Sequence, residues 1–194
     1  MNCEGASHMP MMAQLLSEAG KAVVAWVEQD VPDELARLRR EGHCAAILLH
    51  DESEGKQNLE QALAASASLP ALTQALEALA KDRGYTWEAQ RRYLVSAAHG
   101  VGDEERNAIK EAGALDELFS ALDEADVRAL IAAALSSKSV TPFEMKGARQ
   151  GRIVAEAIVH ADGRVPEPFE RAIRAIDAWI AGGCAAGTEL SMAS

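Results

Sequence analysis

Apolar residues recur at steps of three and four along most of the chain, the spacing that lines one face of an α-helix. From Pro10 to Gln29, residues Leu15, Leu16, Ala19, Val23, Trp26 and Val27 keep that rhythm and predict a first helix with one buried face. Pro32 suits the first turn of a second helix, in which Leu35, Leu38, Gly42, Ala45, Ala46 and Leu49 share a face as far as His50. Asp51 to Gly55 reads as a polar turn. Helices are expected at 56–67 and 70–82, the second opened by Pro70 and closed near Gly84, which suits a left-handed cap.

Thr86 is the expected N-cap of a helix holding Trp87, Tyr93, Leu94 and Val95, which stops at His99-Gly100-Val101-Gly102. A new helix starts at Asp103, Asp123 caps another over 124–136, and Ser136 to Val140 forms a loop. Thr141-Pro142-Phe143-Glu144 combines a capping hydroxyl, a proline at the first helical position and a returning glutamate, and so predicts a helix start, punctuated soon after by Gly147 and Gly151. Ile153 to His160 continues as a buried helix, Ala161 to Val165 turns, and Pro166 opens a last amphipathic helix through Ile173, Ile176 and Ile180 that ends at Gly182-Gly183.

Composition strengthens the helical reading. Alanine contributes 39 of 194 residues, against 3 Phe, 2 Tyr and 3 Trp, so the apolar content favours helix and close helix packing over sheet. The expected fold is all-α, a compact bundle of about seven to nine short antiparallel helices. Gly5-Ala6-Ser7-His8-Met9 has the look of an affinity-tag remnant, which sets residues 1–9 apart from the fold. Residues 10–84 are expected to form N-terminal helices and 85–182 a second helical domain. Residues 183–194 are small and polar and read as a flexible tail. No apolar run reaches the roughly 20 residues that span a bilayer, and the first residues lack a secretory pattern, so a cytoplasmic protein is expected. Cys3, Cys44 and Cys184 are an odd, scattered set that fits neither a disulfide framework nor a zinc knuckle.

Charge narrows the partners. The formal net charge of -11 repels nucleic acid and anionic lipid, leaving cations and basic proteins. Between residues 103 and 126 lie nine acids, Asp103, Glu104, Glu105, Glu111, Asp116, Glu117, Asp123, Glu124 and Asp126, against Arg106 and Lys110. Some complement helix N-termini. Seven of them, Asp103, Glu104, Glu105, Asp116, Glu117, Asp123 and Glu124, are the candidate partner-binding set.

The stretch from Ile153 through His160, Asp162-Gly163, Val165 and Glu170-Arg171 resembles the second signature of the TerB-like tellurite-resistance family: an apolar helix, an Ala-Asp-Gly turn, a hydrophobic residue and an acid-rich helix start. Tyr93 to Ile109 looks like a degenerate first copy, with His99 where the family has Asp and a turn one residue shorter. In the second copy Phe169 occupies a usual acid position, with Glu170 one step later. The resemblance spans about 86–182 and implies an all-helical domain tied to metal-stress or membrane-linked complexes and to divalent-cation binding. Residues 10–84 would then be extra helices or a divergent front half of the same domain.

The candidate metal ligands are Glu156 and His160, four apart on one helix face, with Asp162 in the turn beyond. The same residues also fit a purely structural reading, in which His160 complements the helix C-terminus and Asp162 stabilises the turn. His43 and His50 are seven apart, too far along a helix axis to chelate one ion alone, and Cys44 reads as a small buried hydrophobe. Lys146 to Arg152 is the one concentrated basic stretch, without Walker or dinucleotide spacing, and reads as a solvated helix junction. No catalytic or cofactor-binding residue is assigned, and the only cofactor considered is a weakly bound divalent metal ion. The expected function is a non-catalytic acidic adaptor or stress-response protein that binds a divalent cation or a basic protein partner. An acidic inhibitor or immunity-type protein masking a basic site is the alternative, and a metal-dependent enzyme the third reading.

Overall fold

The computed structural model describes residues 8–28, 31–49, 58–97, 103–136, 141–145 and 148–192. The expectations at residues 1–7, His50, the 51–55 turn, His99 to Gly102, the loop at 137–140 and Gly147 lie outside the described residues. Among the described residues 67% are helical, in ten helices, but a three-stranded parallel sheet makes the protein not purely all-α. The chain divides into two compact units, Met1–Leu59 with Glu167–Ser194, and Glu60–Pro166. Among the described residues no helix is long and apolar enough to cross a membrane.

In the first unit the chain departs from helical expectation at two glycines. Helix α1 covers only Met9–Glu18, and Gly20, at φ +71°, turns the chain into strand β1, Val24–Val27. Helix α2, Pro32–Glu41, likewise stops at Gly42, at φ +67°, ahead of strand β2, Ala46–Leu49. A left-handed residue at a helix end costs glycine little, which is why both helices stop there. The two expected helices over 10–29 and 32–50 are therefore a helix and a strand each. Strand β3, Thr188–Leu190, comes from the segment expected to be a loose tail and pairs in parallel with β2, Leu48 opposite Leu190. The sheet order is β1-β2-β3, with β2 central.

Alternate residues of these strands serve opposite faces of the sheet. Ala25, Val27 and Ile47 join Ala13 of α1 and Leu38 of α2 in one buried cluster, with Cys44 among them. Ala46, Leu48 and Leu190 join Ala172 and Trp179 of helix α10, Glu167–Ala181, and Met192 in the other. Trp26 meets Phe169 edge-on at 5.5 Å between ring centroids. The indole Nε1 of Trp179 donates to the Ala185 carbonyl at 2.9 Å, fastening the turn that carries the chain from α10 into β3. Glu189 faces the α2 side, and its carboxylate accepts from Arg39 Nε at 2.5 Å.

The second unit holds α3 (Leu59–Ser66), α4 (Leu69–Asp82), α5 (Trp87–Ala97), α6 (Asp103–Glu111), α7 (Leu115–Ser120), α8 (Glu124–Leu135) and α9 (Ala148–Asp162). Helix α4 buries Ala71, Leu72, Ala75, Leu76, Leu79 and Ala80, more than one narrow face, which places it at the centre of this unit. Ser68 is its N-cap, accepting the Ala71 N–H at 3.2 Å, and Gly84 takes the expected left-handed conformation at its end. Helix α9 buries Val154 and Ile158.

The helix expected from Thr141 does not form. Thr141 Oγ1 accepts the Phe143 N–H at 3.3 Å, but Arg83 donates to the carbonyls of Thr141 and Glu144, the acceptors a helix start would need for its own turns. Phe143 is fully buried, 6.0 Å from the Tyr93 ring.

Leu190→Ala should lower the stability of the first unit by about 2–3 kcal/mol, since a large buried side chain is removed from the sheet core. Hydrogen exchange at the β2 amides reads this loss. Unchanged protection would show that β3 does not hold the sheet.

Candidate functional site

Helix α9 places Glu156 and His160 on its solvent face, where Glu156 lies 3.7 Å from Arg152 and both residues are exposed. Asp162, two residues beyond His160, stands roughly 200° further round the helix. Its carboxylate turns to the start of α4, accepting the Ser68 hydroxyl at 2.5 Å and the Ser68 backbone N–H at 3.1 Å. The three candidate ligands are thus not brought together. Among the described residues no three His, Cys, Asp or Glu side chains gather as a metal-holding group.

At the opposite end of the same helix pair Arg149 bonds Asp82, so α4 and α9 run antiparallel and are pinned at both ends. Arg149 and Arg152 of the basic stretch are both paired with carboxylates across or along α9, while Lys146 lies outside the described residues. His43 and Cys44 sit in the loop between α2 and β2 rather than on a helix, and Cys44 is buried as a small apolar group.

Most of the described acids from α6 to α8 are exposed. Ile109, Ala112, Leu115, Leu118, Phe119, Val127, Leu130 and Ile131 fill the core, whereas Asp103, Asp116, Glu117, Asp123 and Glu124 are exposed. Glu104 and Glu105 lie on α6, with side chains outside the described set. Part of this charge does local work: Glu117 accepts the Gly113 N–H at 2.7 Å, and Glu124 bonds Arg128 at 2.7 Å. Asp103 lies 3.8 Å from Arg106. Asp123 occupies the N-cap position of α8, yet its side chain makes no capping hydrogen bond.

Sequence reasoning missed a cavity of about 360 Å³ in the second unit. Its walls come from the last turns of α4 (Glu77, Lys81), the following turn (Tyr85), the start of α5 (Trp87, Gln90) and the start of α7 (Leu115). The local signal was two aromatic residues flanking a helix start in a chain with few aromatics. Nothing local joins them to Leu115, which lies far along the chain.

Asp162→Ala should destabilise the second unit by about 1–2 kcal/mol, because two partly buried donors on Ser68 lose their charged acceptor. Glu156→Gln and His160→Gln should stay within about 0.5 kcal/mol, as expected of exposed positions. Thermal unfolding with and without manganese, zinc or calcium is the check. A metal-induced rise in Tm abolished by each of the three substitutions would instead make them a shared ligand set.

Comparison with family models, with curated proteins and with solved structures finds no match to this chain.

Proposed function

We propose that the protein is a non-catalytic binding module of the cytoplasm that receives a basic protein partner on the acidic face of α6 to α8. It would act as a stress-response adaptor of the kind the TerB-like resemblance implies. The observation that carries this reading is the division of labour in these helices: the apolar residues meet the needs of the core, while Asp116, Asp123 and Glu124 stay at the surface. Asp123 in particular does not spend its carboxylate on the cap it occupies. An exposed carboxylate costs little in solvent and draws an oppositely charged partner at long range, raising the rate of encounter more than the final affinity. Any cation binding would draw on this same face, because Asp162 is committed to Ser68.

The test uses a decalysine peptide, titrated into the full chain at low and physiological salt. Replacing Asp116, Glu117, Asp123 and Glu124 by their amides should weaken binding about tenfold, and flatten its salt dependence, because the charge removed is the charge in contact. The same change at Asp33, Glu156, Glu167 and Asp177, exposed acids elsewhere, should weaken it less than about threefold. Equal losses from the two sets would show that net charge alone attracts the peptide and would overturn the assignment of this face.

A further inference from the structure

The cavity beside α7 brings two aromatic side chains together with charged and polar ones, with Leu115 of the core at its back. Only eight of the 194 residues are aromatic, 3 Phe, 2 Tyr and 3 Trp, yet Tyr85 and Trp87 both line this one space. Both are half-buried. The Trp87 ring is held by its Nε1, which donates to the Ala112 carbonyl at 3.0 Å, while the Tyr85 backbone N–H donates to the Ala80 carbonyl at 2.9 Å and sets the chain at that turn. The indole is therefore held as a wall, with its one donor already used.

Among the polar groups around these rings, Glu77 and Gln90 offer acceptors beside the ammonium of Lys81. Gln90 spends an amide N–H on the Tyr85 carbonyl at 3.1 Å, and the acceptor capacity of its side chain lies in the amide oxygen. Glu77 contributes a carboxylate, and Leu115 leads directly into exposed Asp116 and Glu117. Aromatic faces attract cations through their quadrupole, and a planar guanidinium, weakly hydrated and rich in donors, stacks on such faces while bonding to in-plane acceptors. The volume is at the low end for ligand sites, enough for a side chain and too small for a dinucleotide. Lys81 is the opposing charge in the lining, on an exposed and flexible stem.

We infer that this cavity receives an arginine side chain from the basic partner, its guanidinium against Tyr85 and Trp87 and its donors toward Glu77 and Gln90. This rests on the reading of the acidic face above and deepens it: α7 supplies long-range attraction, and the adjoining cavity selects arginine within a basic segment. Lys81 gives the site a sign that can be tested. Removing its charge should help a cation bind and hinder an anion.

The experiment follows the three tryptophan indole N–H signals of the full chain by nitrogen–proton NMR. The probes are a nine-residue glycine–lysine peptide with a central arginine and the same peptide with alanine there. The arginine peptide should bind about tenfold more tightly and shift the Trp87 signal, an effect within the range of a partly desolvated cation–π contact. Glu77→Gln should weaken it at least about threefold and Lys81→Gln should tighten it by a similar factor, both being exposed positions whose replacement leaves the core intact. Equal affinity for the two peptides with a still Trp87 signal, or weaker binding in Lys81→Gln, overturns the arginine site while leaving the acidic face standing. Arginine-dependent Trp87 shifts that persist at full strength after the four acids of α7 and α8 are neutralised uphold the cavity and overturn the acidic face. Absence of binding by either peptide overturns both.

Discussion

Asp162 meeting Ser68 is the contact on which the second unit turns. One carboxylate receives both the hydroxyl and the backbone N–H of the residue that caps α4, and that hydroxyl in turn accepts from Ala71. The end of α9 is thereby tied to the beginning of α4, while Arg149 and Asp82 tie the other ends. With both ends pinned, side-chain register along the pair is set. This matters in an alanine-rich core, where Ala71, Ala75 and Ala80 permit a close approach but give little shape to resist sliding. Charged hydrogen bonds supply the direction that small apolar residues lack.

A second consequence follows from the position of α4. Arg83, just beyond its last turn, holds the carbonyls of Thr141 and Glu144 and pairs with the Glu144 carboxylate at 3.3 Å. From the other side of the unit Arg128 of α8 donates to the Ala64 and Ala67 carbonyls at 2.6 and 2.9 Å, satisfying acceptors exposed where α3 ends. Each arginine holds two backbone carbonyls, using a fork of donors that lysine does not have. The turn from α4 into Tyr85 and α5, which forms one wall of the cavity, is thus set beside a firmly held element.

How much of this was legible depends on whether the signal was local. Pro70 and Gly84 bracket α4 to within a residue or two of its observed bounds, and Pro166 with Gly182-Gly183 does the same for α10. These are caps, written in adjacent residues. Strands β1 and β2 read as helix in the sequence because a strand buried on both faces is a continuous apolar run, Val-Ala-Trp-Val and Ala-Ile-Leu-Leu, with no alternation to set it apart. Gly20 and Gly42, both at positive φ, are the local marks of the two breaks. Strand β3 is three residues long and exists by pairing with β2, so its own sequence carries almost nothing. At the site, Glu156 and His160 share a face of α9, as their spacing predicts, and two further residues carry Asp162 to another one. The cavity joins residues 77–90 to 114–115, a relation that only folding creates.

The first unit poses a chain-ordering problem that the Asp162–Ser68 contact helps to solve. Its sheet takes β1 and β2 from the beginning of the chain and β3 from the end, with Glu60–Pro166 inserted between. Bringing β3 beside β2 across an unstructured segment of that length carries a loop-closure cost that grows with the logarithm of its length, and the delay is larger than the cost. A folded insertion removes most of this burden if its two ends emerge close together. Ser68 and Asp162 are in direct hydrogen-bond contact, so most of the inserted chain lies between two residues that touch. The residue pair that sets the register of α4 against α9 thereby shortens the chain path between β2 and β3 once the insertion has folded.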